Sequence, residues 1–336
     1  MRSGAMKIDA IAADGLGQAQ RAAQRAEQRR FDGLMLPEVA HDPFPAVALA
    51  AESSSSIRLA TGIAVAFARN PMSVAVTASD LHRFSDGRFV LGLGTQIRPH
   101  ITRRFSMPWG RPAARMREFI LAVRAIWQAW EQQTPLDFRG DFYQHTLMTP
   151  MFDHGPSPCG WPAIHVAAVG PVMTALVGDV ADGLIAHGFT TASYFREVTL
   201  PRLGVGLQRA GRTRADVEVT VPLMLVIAED ERDARIDAMR TTLAFYGSTP
   251  AYRPVLEHHG WGALGDELHA LSKRGEWSAM GRLIDDTVLH TFAAIGGPKE
   301  VAATVLDRFG GAADRVQLGV DSDDLVHETL DALRSR

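Results

Sequence analysis

The 336-residue chain is 46 % hydrophobic and 22 % charged with a formal net charge of -3, the balance of a globular protein, and its sign excludes strong electrostatic attraction to nucleic acid. The single cysteine, Cys159, leaves no internal disulfide, and no apolar run approaches the roughly 20 residues that cross a bilayer. A cytoplasmic protein is expected, with the stretch from Met1 to Met6, which lacks the apolar core of a signal peptide, left out of the fold argument.

A first strand is predicted over 7–12 and a helix of small and charged residues over 18–29. A second strand, Gly33-Leu-Met-Leu36, stops at Pro37, which has no N–H for a ladder, and a helix follows over 45–52. The third strand covers 58–64. Pro71 suits the first turn of a helix carrying Val74, Ala75, Ala78 and Leu81 at helical spacing, and Ser85-Asp-Gly87 turns into a fourth strand ending at Gly94-Thr-Gln96. After a loop over 98–112 and a long helix over 113–132, the rhythm breaks. Residues 134–162 hold a short hairpin pattern and a proline- and glycine-rich stretch, the composition of a rim or lid. Strands resume at 163–168 and 183–186, each followed by a helix, the first opening at Gly170-Pro171 and the second covering 193–210. A long apolar strand over 217–227, a helix over 230–246, an irregular insertion over 249–289, an eighth strand over 315–320 and a last helix over 323–333 complete the order.

Eight strands alternating with helices, without repeat or linker, predict an α/β fold of one (β/α)8 TIM-type barrel over 1–336, with insertions after strands 4 and 7. Function is then expected at the C-terminal strand ends, where the β-α loops gather.

Three motifs there can carry chemistry. Gly92-Leu-Gly94-Thr-Gln-Ile97 looks like part of a dinucleotide fingerprint but fails it. Ile97 replaces the third glycine, the strand is not the first, and no acidic residue stands at the distance that holds a ribose; the glycines can instead allow close packing. Ala168-Val-Gly170-Pro-Val-Met173 leaves unpaired N–H groups at a helix start, a phosphate site if it is more than a tight loop. Glu38 and His41 follow the second strand as candidates for proton transfer, although Glu38 can equally bond barrel backbone and His41 face water. His100 shares a loop with Arg98, Arg103, Arg104 and Trp109, which either binds an anionic tail, covers the pocket or is a solvated basic loop. The chain has no His-Glu-x-x-His, no paired cysteines, no Gly-x-Ser-x-Gly and no P-loop, so neither a metal site, a serine-hydrolase elbow nor an NTPase is expected.

Phe31-Asp-Gly-Leu-Met-Leu-Pro-Glu38, Asp42-Pro-Phe44, Arg58-Leu-Ala-Thr-Gly-Ile63, Arg69-Asn-Pro71, Ser85-Asp-Gly-Arg-Phe-Val-Leu-Gly-Leu-Gly94, Ala181-Asp-Gly183 and Ile295-Gly-Gly-Pro298 together resemble, in order and spacing, the bacterial luciferase-like superfamily of flavin and deazaflavin oxidoreductases. Gly94-Thr-Gln96, Arg103-Arg-Phe105, Met107-Pro-Trp109 and Arg115-Met-Arg-Glu118 are similar to a group predicted to use coenzyme F420. The resemblance implies a ring cofactor in the barrel mouth, backed by a non-prolyl cis peptide that the motif places at Gly62-Ile63, followed by Ala64. It implies Gly94, Thr95 and Gln96 near the ring or its side chain, and the phosphate tail at Gly170, Pro171, Val172 and Met173. Sugar-phosphate and alcohol dehydrogenases of the superfamily use a histidine after strand two and a glutamate after strand four; here Val39 and Ile97 stand there. Glu38, His41 or His100 would have to replace that pair if an acid or base is needed. The resemblance implies an F420-dependent oxidoreductase exchanging hydride with a small organic substrate, the alternatives being a reduced-FMN monooxygenase or a non-catalytic cofactor-binding barrel. A homodimer is also implied; Phe119, Val123, Ile126 and Trp127 face either the core or a second subunit.

Overall fold

The computed structural model describes residues 5–13, 15–227, 232–319 and 324–335. Among these, eight parallel strands form the barrel: β1 Lys7–Ile11, β2 Gly33–Leu36, β3 Arg58–Thr61, β4 Phe89–Gly94, β5 Ile164–Ala167, β6 Gly183–Ile185, β7 Glu218–Pro222 and β8 Arg315–Gly319. Each pairs with its successor, and β8 closes onto β1 with Lys7 opposite Arg315. The outer helices are α1 Leu16–Gln28, α2 Pro43–Glu52, α3 Pro71–Phe84, α4 Pro112–Gln132, α5 Pro171–Val180, α6 Leu200–Arg209, α7 Pro298–Phe309 and α8 Asp324–Arg334. The fold is thus the predicted TIM-type barrel. Helix starts follow local chemistry: Asp42 caps α2 by accepting from the Phe44 N–H at 3.0 Å, Asn70 caps α3 by accepting from Ser73 N–H at 3.0 Å, and both helices open with proline. Helix α1 buries Ala19, Ala22, Ala23 and Ala26, a stripe narrow enough to bring its backbone close to the strands. On α4, Phe119, Val123, Ile126 and Trp127 belong to the barrel's own core.

The third strand breaks where the sequence suggested continuity: the Gly62–Ile63 peptide is cis, and Ala64–Val65 pairs with β4 beyond it. The expected strand over 217–227 also divides. Pro222 has no N–H to continue the ladder, and Leu225–Ile227 leaves the barrel to pair in parallel with Ala294–Gly296. The helix expected as the barrel's seventh, observed as Arg232–Gly247, packs Leu243 and Ala244 against Val255, Leu256, Leu268 and Phe292 in a second apolar cluster apart from the barrel core. The barrel's own seventh helix is α7, which buries Val301, Ala302, Val305 and Phe309. Asp230, Val320 and Asp323, end residues of expected elements, lie outside the described residues.

Strand alternation turns Asp9, Arg58, His165, Glu218 and Arg315 into the lower barrel interior. Arg315 holds Asp9 through both carboxylate oxygens, with Nε to Oδ2 at 2.7 Å, and stands 3.8 Å from Glu218, which in turn pairs with Arg58 at 2.6 Å. Burial alone disfavours the Arg315 charge, but the Asp9 hydrogen bonds outweigh it and raise its pKa above the usual value. A side chain at Gly183 would meet the His165 ring at 2.5 Å, so that glycine makes room for the imidazole. Above the charged layer lie Met35, Ala60, Val90 and Ile185, an apolar plug on which the upper cavity rests.

Candidate active site

At the C-terminal ends of the strands opens a cavity of about 1340 Å³, large enough for a ring cofactor and a second small molecule. One wall is main chain and small groups: Gly62 and Ile63 after β3, and Gly94 and Thr95 at the end of β4. The glycines have internal reasons. A Cβ on Gly62 would come within 2.8 Å of the Met35 methyl, and one on Gly94 within 2.6 Å of the Ile63 side chain. Gly94, expected to let a cofactor approach, lines the cavity and also gives room to Ile63, through which it shapes the wall. Ala64 is fully buried beneath that wall and lines no part of the cavity. Gln96 adopts a left-handed backbone (φ 58°), and its side-chain oxygen accepts from the Ile97 N–H at 3.0 Å.

The loop after β4 bends back over the mouth. Arg104 donates to the Val39 carbonyl at 2.8 Å, Trp109 packs edge-on against Phe67 with ring centres 5.8 Å apart, and Arg115 anchors the loop at the Pro108 carbonyl. This places Trp109, Ile97 and Arg98 on the cavity. His100 lies on the π-helical turn His100–Arg104 of the same loop, exposed and away from the cavity. Glu38 is likewise absent from the lining. Its buried carboxylate accepts from the Val65 N–H and from Arg69, each at 2.7 Å, and Arg69 continues to Asp42 at 2.8 Å. Glu38 therefore pins the chain just after the cis peptide. His41 is exposed, and its ring packs over Gly15. The three residues read from the sequence as proton-transfer candidates are thus not brought together, and none faces the cavity.

The opposite end of the cavity reaches Gly170 and Met173 at the start of α5. Gly170 has no side chain to cap the helix, and space above it is open, so the first-turn N–H groups remain available to an anion. Pro171 and Val172 are exposed on that turn but do not line the cavity. The cavity also carries an orphaned donor: Gln317, 3 % exposed on β8, has no acceptor for Nε2 among the described residues. A main-chain wall, an uncapped helix start and an unpaired amide donor on one cavity fit a flat, carbonyl-bearing ring with a phosphorylated tail.

Sequence reasoning missed one imidazole and two phenols that line the cavity. His187, two residues beyond β6 on the inward register, stacks on Tyr252 with ring centres 4.3 Å apart and meets Tyr246 edge-on at 4.8 Å. Its Nδ1 accepts from the Phe189 N–H at 2.9 Å and its Nε2 lies 3.1 Å from the Tyr252 hydroxyl. Burial lowers the His187 pKa to about 4, and burial with the neighbouring Tyr246 raises that of Tyr252 to about 12. The only sequence signal for His187 was its place after an inward-facing strand; Tyr246 and Tyr252 come from a helical insertion whose fold no local pattern specifies.

A closed parallel (β/α)8 barrel with a large cavity at its strand ends defines the class of fold. The family model described as luciferase-like monooxygenase matches residues 2–315, and the chain belongs to that family. An uncharacterized protein of Mycobacterium tuberculosis is 51 % identical over 313 residues, covering 93 % of this chain and 92 % of that protein. A 5,10-methylenetetrahydromethanopterin reductase of Methanolobus tindarius is 27 % identical over 287 residues, 84 % of each chain. Among solved structures, the coenzyme F420-dependent tetrahydromethanopterin reductase of Methanopyrus kandleri superposes with a TM-score of 0.78 at 20 % identity, covering 98 % of this chain and 97 % of that one. Monooxygenases, one of them in complex with FMN, share the fold as well. No helix among the described residues is long and apolar enough to cross a membrane.

Proposed function

We propose that this protein is an F420-dependent oxidoreductase acting on a small organic substrate. The observation that carries the reading is the single cavity combining the Gly62–Ile63 main-chain wall with the uncapped start of α5 at Gly170. Kinship with a Mycobacterium tuberculosis protein named as a putative coenzyme F420-dependent oxidoreductase, 27 % identical over 290 residues, supports the deazaflavin choice over FMN. Gly62, Ile63, Gly94 and Thr95 would back the ring, Gln317 would offer an amide N–H to it, and the N–H groups of Val172 and Met173 would hold the phosphate. When bound, the reduced cofactor supplies a hydride. Trp109 and Ile97 exclude water above it, and Ile97 carries no proton where the related dehydrogenases have an acid.

Separate titrations with F420 and FMN, followed by quenching of tryptophan emission, test the assignment. Micromolar or tighter binding of F420 is expected. Binding of FMN alone at that level would overturn it in favour of a reduced-FMN monooxygenase.

A further inference from the structure

His187 and Tyr252 face the proposed ring wall. In a closed ring of eight strands β6 stands opposite β2 and β7 opposite β3, so the side of the cavity built by His187 after β6 and by the insertion after β7 lies across from Gly62 and Ile63. That far side is largely apolar, with Met224, Leu225, Met239 and Ala251 lining it, and its polar side chains are Arg235, Thr242, Tyr246 and Tyr252; the Thr242 hydroxyl is spent on the Ala238 carbonyl.

Hydrogen-bond accounting decides what that hydroxyl can do. His187 Nδ1 accepts from the Phe189 amide, which has only a proton to give, so Nδ1 carries none. A neutral imidazole must then bear its proton on Nε2, and this tautomer, assigned from the partners, makes Nε2–H the donor to the Tyr252 oxygen. The phenolic proton of Tyr252 is not spent on His187. No described residue accepts it. Stacking at 4.3 Å on His187 and edge contact with Tyr246 at 5.9 Å hold the ring in place.

We infer that Tyr252, positioned by His187, is the donor that receives the carbonyl oxygen of the substrate, and that the substrate is a small carbonyl compound with an apolar body. The inference deepens the oxidoreductase reading and rests on it for the chemistry, though not for the binding. Hydride addition to the carbonyl carbon, from a reduced deazaflavin that is thereby oxidised by two electrons, turns the C=O π pair into an alkoxide lone pair. The Tyr252 O–H bond breaks as its proton passes to that oxygen, giving the alcohol. The phenolate left behind keeps the His187 Nε2–H bond and regains a proton from water. An alkoxide is a much stronger base than a phenolate, so the transfer runs downhill even for a phenol whose burial makes it a reluctant acid. The titratable groups in contact with Tyr252 are His187 and Tyr246.

The probe is p-dimethylaminocinnamaldehyde, a push-pull aldehyde whose absorption moves to the red when its carbonyl accepts a hydrogen bond. Binding to the wild-type protein is expected to produce that red shift. Tyr252→Phe keeps the ring stack and removes the donor; it should abolish the shift while weakening binding about two- to tenfold, the worth of one hydrogen bond. His187→Phe keeps a stacked ring but removes Nε2–H, and should diminish the shift with little change in affinity. A purely structural role would lower affinity without changing the colour of the bound probe. Full red shift in either variant, or an unshifted probe on the wild-type protein, would overturn the inference. F420 affinity is measured on the same samples. If the wild-type protein shows the expected shift but does not bind F420, the cofactor reading fails and the carbonyl site stands; if F420 binds equally to all three proteins and the shift is unaffected by the variants, the carbonyl site fails and the cofactor reading stands.

Discussion

Replacing Asp9 with Asn removes one charge from the lower barrel interior while leaving its size almost unchanged. Arg315 is 6 % exposed and depends on Asp9 for a two-point bond; the other carboxylate nearby, Glu218 at 3.8 Å, is already engaged by Arg58 at 2.6 Å. The guanidinium is thus left buried and under-compensated, which typically costs about 3–5 kcal/mol. Unfolding entropy for a chain of 336 residues amounts to about 0.7 kcal/mol per degree, so Tm should fall by about 4–7 °C. Replacing both partners, Asp9→Leu with Arg315→Met, removes the uncompensated charge and should recover most of the loss. The assay is urea unfolding of the wild type, both single variants and the double variant, with reversibility checked and the slope compared. A loss below about 1 kcal/mol for Asp9→Asn, or a double variant no better than the worse single one, would refute the view that the pair compensates buried charge.

At the site itself, Gly94→Ala would set a methyl 2.6 Å from Ile63; we expect about 1–3 kcal/mol of lost stability and at least tenfold weaker cofactor binding, measured by titration, because Ile63 must move toward the ring. Glu38→Ala frees the Val65 N–H and leaves Arg69 with only Asp42 and the Val65 carbonyl, and should cost about 2–3 kcal/mol in urea unfolding. His187 binds its proton only near pH 4 when folded but near 6.5 when unfolded. The unfolded state therefore holds more protons between those values; stability is complete above the unfolded pKa and declines as pH falls through the folded one. Between pH 7 and pH 5 this group should remove about 2 kcal/mol, and comparison of urea midpoints should show that decrement missing in His187→Phe.

Where chain order and local chemistry agree, the fold was legible. Pro71 starts a helix in the structure as expected, the helix expected over 45–52 opens two residues earlier at Pro43, and the motif Arg58-Leu-Ala-Thr-Gly-Ile63 located the cis peptide. Division of the apolar run over 217–227 was missed, since one proline in an otherwise strand-like stretch does not say that the segment beyond it changes sheets. The proton-transfer candidates were misplaced for a related reason. Glu38 sits beside a strand end as a catalytic acid would, and only the third dimension reveals the Val65 amide and Arg69 that occupy it. His187 and Tyr252 are 65 residues apart, and no sequence period connects a strand end to the turn of a helical insertion.

Pairing of Leu225–Ile227 with Ala294–Gly296, together with the Ala294 N–H bond to the Met224 carbonyl at 2.9 Å, brings the exit and return points of the helical insertion side by side. The whole cavity-facing cap is therefore joined to the barrel as if by a buttonhole. A cap of different length or shape can be exchanged at this parallel ribbon without asking β7, α7 or β8 to move, and the chain could acquire new substrates by transplantation there while the ring wall on β3 and β4 is inherited intact.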